Sequence, residues 1–165
     1  MSSPEPWLRG PLAGVHPLVM PVLFSFAQVR EDLAKHTQGL TEAQVWTVAS
    51  GASVGFHLKH IAGSVDRITT YLLGSQLTEQ QLQTLRQESA PDAGLAQLLA
   101  LVDDSLRDSE ERLRSVDPGS LYDVRAVGRR VLPTTVIGLI VHLAEHTQRH
   151  LGQAITLCKA VRQLG

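Results

Sequence analysis

The stretch Ser53-Val-Gly-Phe-His-Leu-Lys-His-Ile-Ala-Gly-Ser-Val-Asp-Arg-Ile-Thr-Thr-Tyr-Leu-Leu-Gly74 decides the class of fold. Val54, Leu58, Ile61, Val65, Ile68 and Leu72 recur at alternating steps of four and three, which lays one apolar stripe along an α-helix. Ser53 can cap the helix start, and Gly74 can take the left-handed turn that ends it. His57 and His60 ride on this helix near its beginning.

Three further helices flank it. The spacing of Leu18, Val22, Phe26, Val29 and Leu33 predicts a helix from about Pro17 to His36, with Pro17 and Pro21 in its first turn, where a missing N–H costs little. Leu95, Leu99, Val102, Leu106 and Leu113 predict another from about Asp92 to Val116, stopped by Asp117-Pro118-Gly119. A fourth is expected from Pro133-Thr134-Thr135 to about Val161, carrying Val136, Leu139, Leu143, Leu157 and Val161. No run alternates apolar and polar residues for long, so strand evidence is weak. An all-α four-helix bundle follows. The connectors at His36–Ala52, Gly74–Pro91 and Asp117–Leu132 are each roughly fifteen to eighteen residues, long for helix–helix links, so a crossover and some short helical turns are expected.

A chain of 165 residues matches one domain, taken here as 1–165. The single Cys excludes an internal disulfide framework and suits a reducing cytoplasm, the expected location. A formal charge of −1 gives no global attraction to nucleic acid or anionic lipid. The start, MSSPEPWLRG, lacks the pattern of a signal peptide, and no apolar run approaches a membrane span. There is no Gly-rich phosphate loop, no G-x-S-x-G elbow and no C-x-x-C.

Seven histidines against one cysteine is the compositional oddity. His16 and His36 bracket the first helix and read as surface or capping residues. The others form two groups: His57 and His60 on the second helix, and His142, His146 and His150 on the fourth. Residues four apart share one helix face, so His146 and His150 can aim two imidazoles at one point, as in H-x-x-x-H zinc helices. A third ligand must then come from another helix. His57 lies about 60° and His60 about 120° from the centre of the second helix's apolar stripe. Periodicity therefore slightly favours His57 as the inward residue and leaves the choice open.

At this point the sequence resembles the DinB-like (YfiT-like) bundle proteins. The resemblance is carried by His57-Leu-Lys-His60-Ile-Ala-Gly-Ser-Val-Asp-Arg67 on the second helix and His146-Thr-Gln-Arg-His150-Leu-Gly-Gln153 on the fourth. It implies a bundle of up-down-down-up order and frequent homodimers. It also implies a divalent metal, zinc or nickel most often with iron or manganese as further candidates, on His60, His146 and His150. Leu151 stands where many members carry Arg, and His142 is an addition. His57 and His142 stay open as alternative ligands or neighbours.

The resemblance further implies a metal-dependent enzyme acting on a small-molecule substrate: a thiol S-transferase using a low-molecular-weight thiol such as mycothiol or bacillithiol, or a hydrolase. The competing expectation is a non-catalytic, stress-associated homodimer with a structural metal or none. A membrane partner is excluded, and nucleic acid lacks a basic face to bind. Around the triad, Glu145 points away from the apolar side and reads as a solvated residue, while Gln153 and Tyr71 are candidate pocket neighbours. Cys158 reads as a buried small hydrophobe. Arg125, Arg129 and Arg130 are a solvated loop or a contact for an anionic thiol.

Overall fold

A computed structural model describes residues 3–164. Its helices are α1 (Met20–Thr37), α2 (Glu42–Trp46), α3 (Val54–Leu72), α4 (Glu79–Arg86), α5 (Leu95–Arg114) and α6 (Val136–Gln163). Strands β1 (Val124–Val127) and β2 (Leu132–Thr135) form an antiparallel hairpin, and 3-10 turns occupy Pro6–Leu8 and Pro118–Ser120.

The four long helices form the expected bundle, with α6 packed between α1 and α3, and α5 on the far side of α3. Side-chain ties fix their directions. Ser25 meets Thr147, and Arg162 reaches the carbonyls of His36 and Gln38, so α1 and α6 run the same way. His57 meets His150 while His60 meets His146, so α3 runs against α6. Ser105 bonds the Ala62 carbonyl and Thr69 meets Ser109, so α5 runs parallel to α3. The order is therefore up, down, down, up. Parallel α3 and α5 force residues 73–94 to travel back along a helix about 30 Å long. That return is the crossover that the connector length called for, and it carries α4 on its way.

Local chemistry explains the ends. Ser53 Oγ accepts from Phe56 N at 3.1 Å to start α3, and Gly74 at φ +81° follows its end. Thr41 and Thr78 build capping boxes on α2 and α4, with Gln44 and Gln81 bonding back. Glu42 in α2 accepts from Leu95 N, setting an acid at the positive end of α5. Trp46 lies against Gly55, where an added Cβ would come within 2.8 Å of the indole ring.

Some boundaries differ from the spacing. The first helix begins at Met20, so Pro21 lies in its first turn and Pro17 in the turn before. The third begins at Leu95, because Asp92 is drawn away to pair with Lys59 at 2.8 Å. Pro133-Thr134-Thr135 is the end of β2, and Thr135 caps α6 by accepting from Gly138 N at 3.1 Å. The hairpin itself was not expected. Its strands are four residues each, exposed or half-buried, and interrupted by Arg125 and Pro133, so no alternation is long enough to read.

The core is filled by Val22, Phe26 and Val29 of α1, Leu58, Ile61 and Val65 of α3, Leu98 and Leu106 of α5, and Leu143 and Cys158 of α6, all fully buried. Each large apolar side chain so buried contributes about 1.5–3 kcal/mol. No helix among the described residues is long and apolar enough to cross a membrane.

Candidate metal centre

The interface of α3 and α6 gathers His57, His60, His146 and His150, with His142 exposed beside it on α6. Antiparallel packing sets the pattern: stepping from His57 to His60 on α3 corresponds to stepping from His150 back to His146 on α6. His60 Nε2 lies 3.0 Å from His146 Nε2, and His57 Nδ1 lies 3.0 Å from His150 Nδ1. The His60 and His150 rings are 4.2 Å apart between centroids, and those of His146 and His150 are 4.6 Å apart. One ligand nitrogen from each of His60, His146 and His150 lies within 4.8 Å of the others. Two imidazole nitrogens on one tetrahedral zinc lie about 3.4 Å apart, so this grouping is close to the size of a coordination shell.

The imidazoles form a row from core to solvent. His57 is buried, at 4% exposure, His60, His146 and His150 are half-buried, and His142 is exposed with its ring 5.1 Å from that of His146. Periodicity's inward residue, His57, is indeed the most buried of the five. It bonds His150 and stands outside the three-nitrogen grouping, whereas His60 stands within it. Phe56 closes one wall, stacked on His60 at 5.6 Å and edge-on to His57 at 5.1 Å.

Burial, reinforced by the nearby His60, pushes His57 and His146 down to about 4 and His150 down to about 3. These rings are neutral at pH 7 and offer lone pairs, the state in which imidazole binds a metal. His146 Nδ1 is buried without a hydrogen-bond partner. Such an orphaned nitrogen in a cluster of neutral rings fits a cation-binding set better than a closed hydrogen-bond network.

Two neighbours escaped the sequence reading. Glu88, in the crossover beyond α4, reaches His60 Nδ1 at 2.7 Å and is only 3% exposed. Arg67 lies 2.9 Å from the other Glu88 oxygen. No motif marks Glu88; the one available signal was the long connector that had to pass over this end of α3.

The remaining candidates are dispersed. Glu145 is exposed as expected, and pairs with His142 at 2.7 Å and with Arg149. Against the upward push of burial, those two partners hold its carboxyl below the usual range. Glu145 also groups with His142 and His146 as a second set of potential ligand atoms at the rim. Gln153 is exposed, and Tyr71 belongs to the core. Cys158 is fully buried, with burial pushing its thiol up. Arg125 bonds the Leu72 carbonyl at 2.8 Å, while Arg129 and Arg130 lie exposed by the hairpin turn.

A search among curated proteins returns no match. A family model described as the DinB superfamily matches residues 25–154, from the second turn of α1 to late α6, which includes every histidine at this interface and Glu88. The chain belongs to the DinB superfamily.

Proposed function

We propose that the protein binds a divalent metal ion through His60, His146 and His150 and acts with it on a small electrophilic substrate, as a thiol S-transferase or a hydrolase. The observation that carries this reading is the convergence of three ring nitrogens within 4.8 Å, at the meeting of two helices. Zinc or nickel suits such a neutral set best, with iron or manganese also compatible. Held by His60, His146 and His150 as neutral ligands, such an ion would supply positive charge that lowers the pKa of a bound water or thiol. The chain's own residues supply the rest. Glu88 holds His60, His57 holds His150, Phe56 walls the site against water, and the exposed His142 and Glu145 stand where substrate would enter. A reducing cytoplasm suits the single buried thiol.

Metal content by mass spectrometry tests the reading. Freshly purified protein should carry near one equivalent of zinc, nickel, iron or manganese, and trace amounts alone would remove the metal from the account. Loaded protein, offered a panel of electrophiles with and without a low-molecular-weight thiol, should consume thiol as a transferase or water as a hydrolase.

The second reading, a homodimer whose surface does the work, is favoured by one feature. Trp7, Leu18 and Val141 are exposed beside an apolar groove of about 970 Å³ between α1 and α6. Exposed apolar patches of this kind mark partner surfaces. Light scattering on the full chain should then give twice the monomer mass. Melting with and without chelator separates the two roles of the ion: a catalytic ion leaves a bundle that its core already stabilises, whereas loss of a structural ion lowers Tm sharply.

A further inference from the structure

We propose that Glu88 is a positioning residue for His60: the crossover after α4 delivers its carboxylate so that His60 carries its proton on Nδ1 and presents the Nε2 lone pair to the site. The inference rests on His60 being a metal ligand.

A buried acid is costly unless it is paired and hydrogen-bonded. Glu88 is only 3% exposed, yet it belongs to a connector rather than to a core helix. Three residues of α3 accommodate it. His60 Nδ1 lies 2.7 Å from Oε2, the contact of a donating ring N–H with a carboxylate oxygen. Arg67 Nη1 lies 2.9 Å from Oε1, off the direction of a hydrogen bond, so it balances charge as an ion pair. Gly63 lies between them along α3. A Cβ there would stand 2.6 Å from Arg67 Nη1 and 2.8 Å from Glu88 Oε1, so any larger residue would push the ends of both side chains out of their present positions.

The connector is also tied down on both sides of Glu88. Lys59 Nζ donates to the Gln87 carbonyl at 2.7 Å, to the Ala90 carbonyl at 3.3 Å and to Asp92 at 2.8 Å. Lys59, His60, Gly63 and Arg67 thus form one face of α3, on which Lys59 anchors the loop and His60 and Arg67 receive its Glu88 carboxylate. A carboxylate on the remote nitrogen of a ligating imidazole fixes its tautomer and ring orientation and raises its basicity. With Nδ1 committed to Glu88, Nε2 is the one nitrogen of His60 left to bind, and it is the one facing His146.

Two measurements on the full chain decide the point. Long-range proton–nitrogen correlation spectra of the metal-free protein at pH 8 should show His60 as the Nδ1–H tautomer, and Glu88→Gln should shift it toward the Nε2–H form. Competition for zinc against a chromophoric chelator should show Glu88→Gln binding about 10–100-fold more weakly. Gly63→Ala keeps every charge but displaces the pair, so it should weaken zinc similarly. It also serves where Glu88→Gln does not fold. An ion pair of purely structural worth would lower Tm and leave the tautomer and zinc affinity unchanged. That result, or an Nε2–H tautomer in the wild type, overturns the proposal. If the wild type binds no zinc, the metal reading fails by itself, and the spectrum still decides whether Glu88 orients His60.

Discussion

His60 and His146 meet nitrogen to nitrogen, Nε2 to Nε2 at 3.0 Å, across the antiparallel seam of α3 and α6. Two lone pairs at that distance repel, so something positive must lie between them: a proton shared by the rings or a cation held by both. His146→Ala removes one side of this contact together with the buried, unpartnered Nδ1. The variant should lose at least 100-fold in metal affinity while keeping the helical circular-dichroism spectrum. Retention of wild-type metal content would place the ion elsewhere.

The neutral rings make the metal-free protein sensitive to acid. In the unfolded chain histidine titrates near 6.5, but in the fold His57 and His146 titrate at about 4 and His150 at about 3. As pH falls below about 6.5, the unfolded chain takes up protons that the native chain refuses, so stability falls with falling pH. Above that value these groups contribute no slope. Urea unfolding of metal-free protein at pH 7.5, 6 and 5 should show midpoints dropping through this window, before carboxylates matter. His150→Gln should flatten the drop, and equal midpoints at all three values would contradict the account.

Gly55→Ala tests how α2 is seated on α3. The new Cβ would lie within 2.8 Å of three Trp46 ring atoms, and Trp46 is itself held by donating from Nε1 to the Ala93 carbonyl at 2.9 Å. Overpacking of this kind costs about 1–3 kcal/mol. Denaturant unfolding should show that loss, with a shift in tryptophan fluorescence as the ring moves.

Phe26→Ala separates the core from the site. Phe26 is fully buried in α1, a helix that supplies none of the three grouped imidazoles. Its truncation should cost about 3–5 kcal/mol, while metal stoichiometry stays at the wild-type value in protein that remains folded. Loss of metal in step with stability would mean that the bundle and the site are not independent.

The four long helices were legible because apolar spacing along Val54–Leu72 and its three counterparts is a local, periodic signal. The His-x-x-x-His step was legible for the same reason, since one helix sets the relation of His146 to His150. Spacing on one helix could not choose between His57 and His60, and the family likeness pointed to His60. Only packing shows why both face α6: the seam runs antiparallel, so each finds a different partner, one in the core and one nearer solvent. Glu88 and the hairpin belong wholly to the tertiary structure. A carboxylate in a crossover has no periodicity to betray it, and two four-residue exposed strands have no buried face to alternate. The sequence alone determined which helices carry imidazoles; the direction in which those helices pack decided which imidazoles meet, and what else meets them.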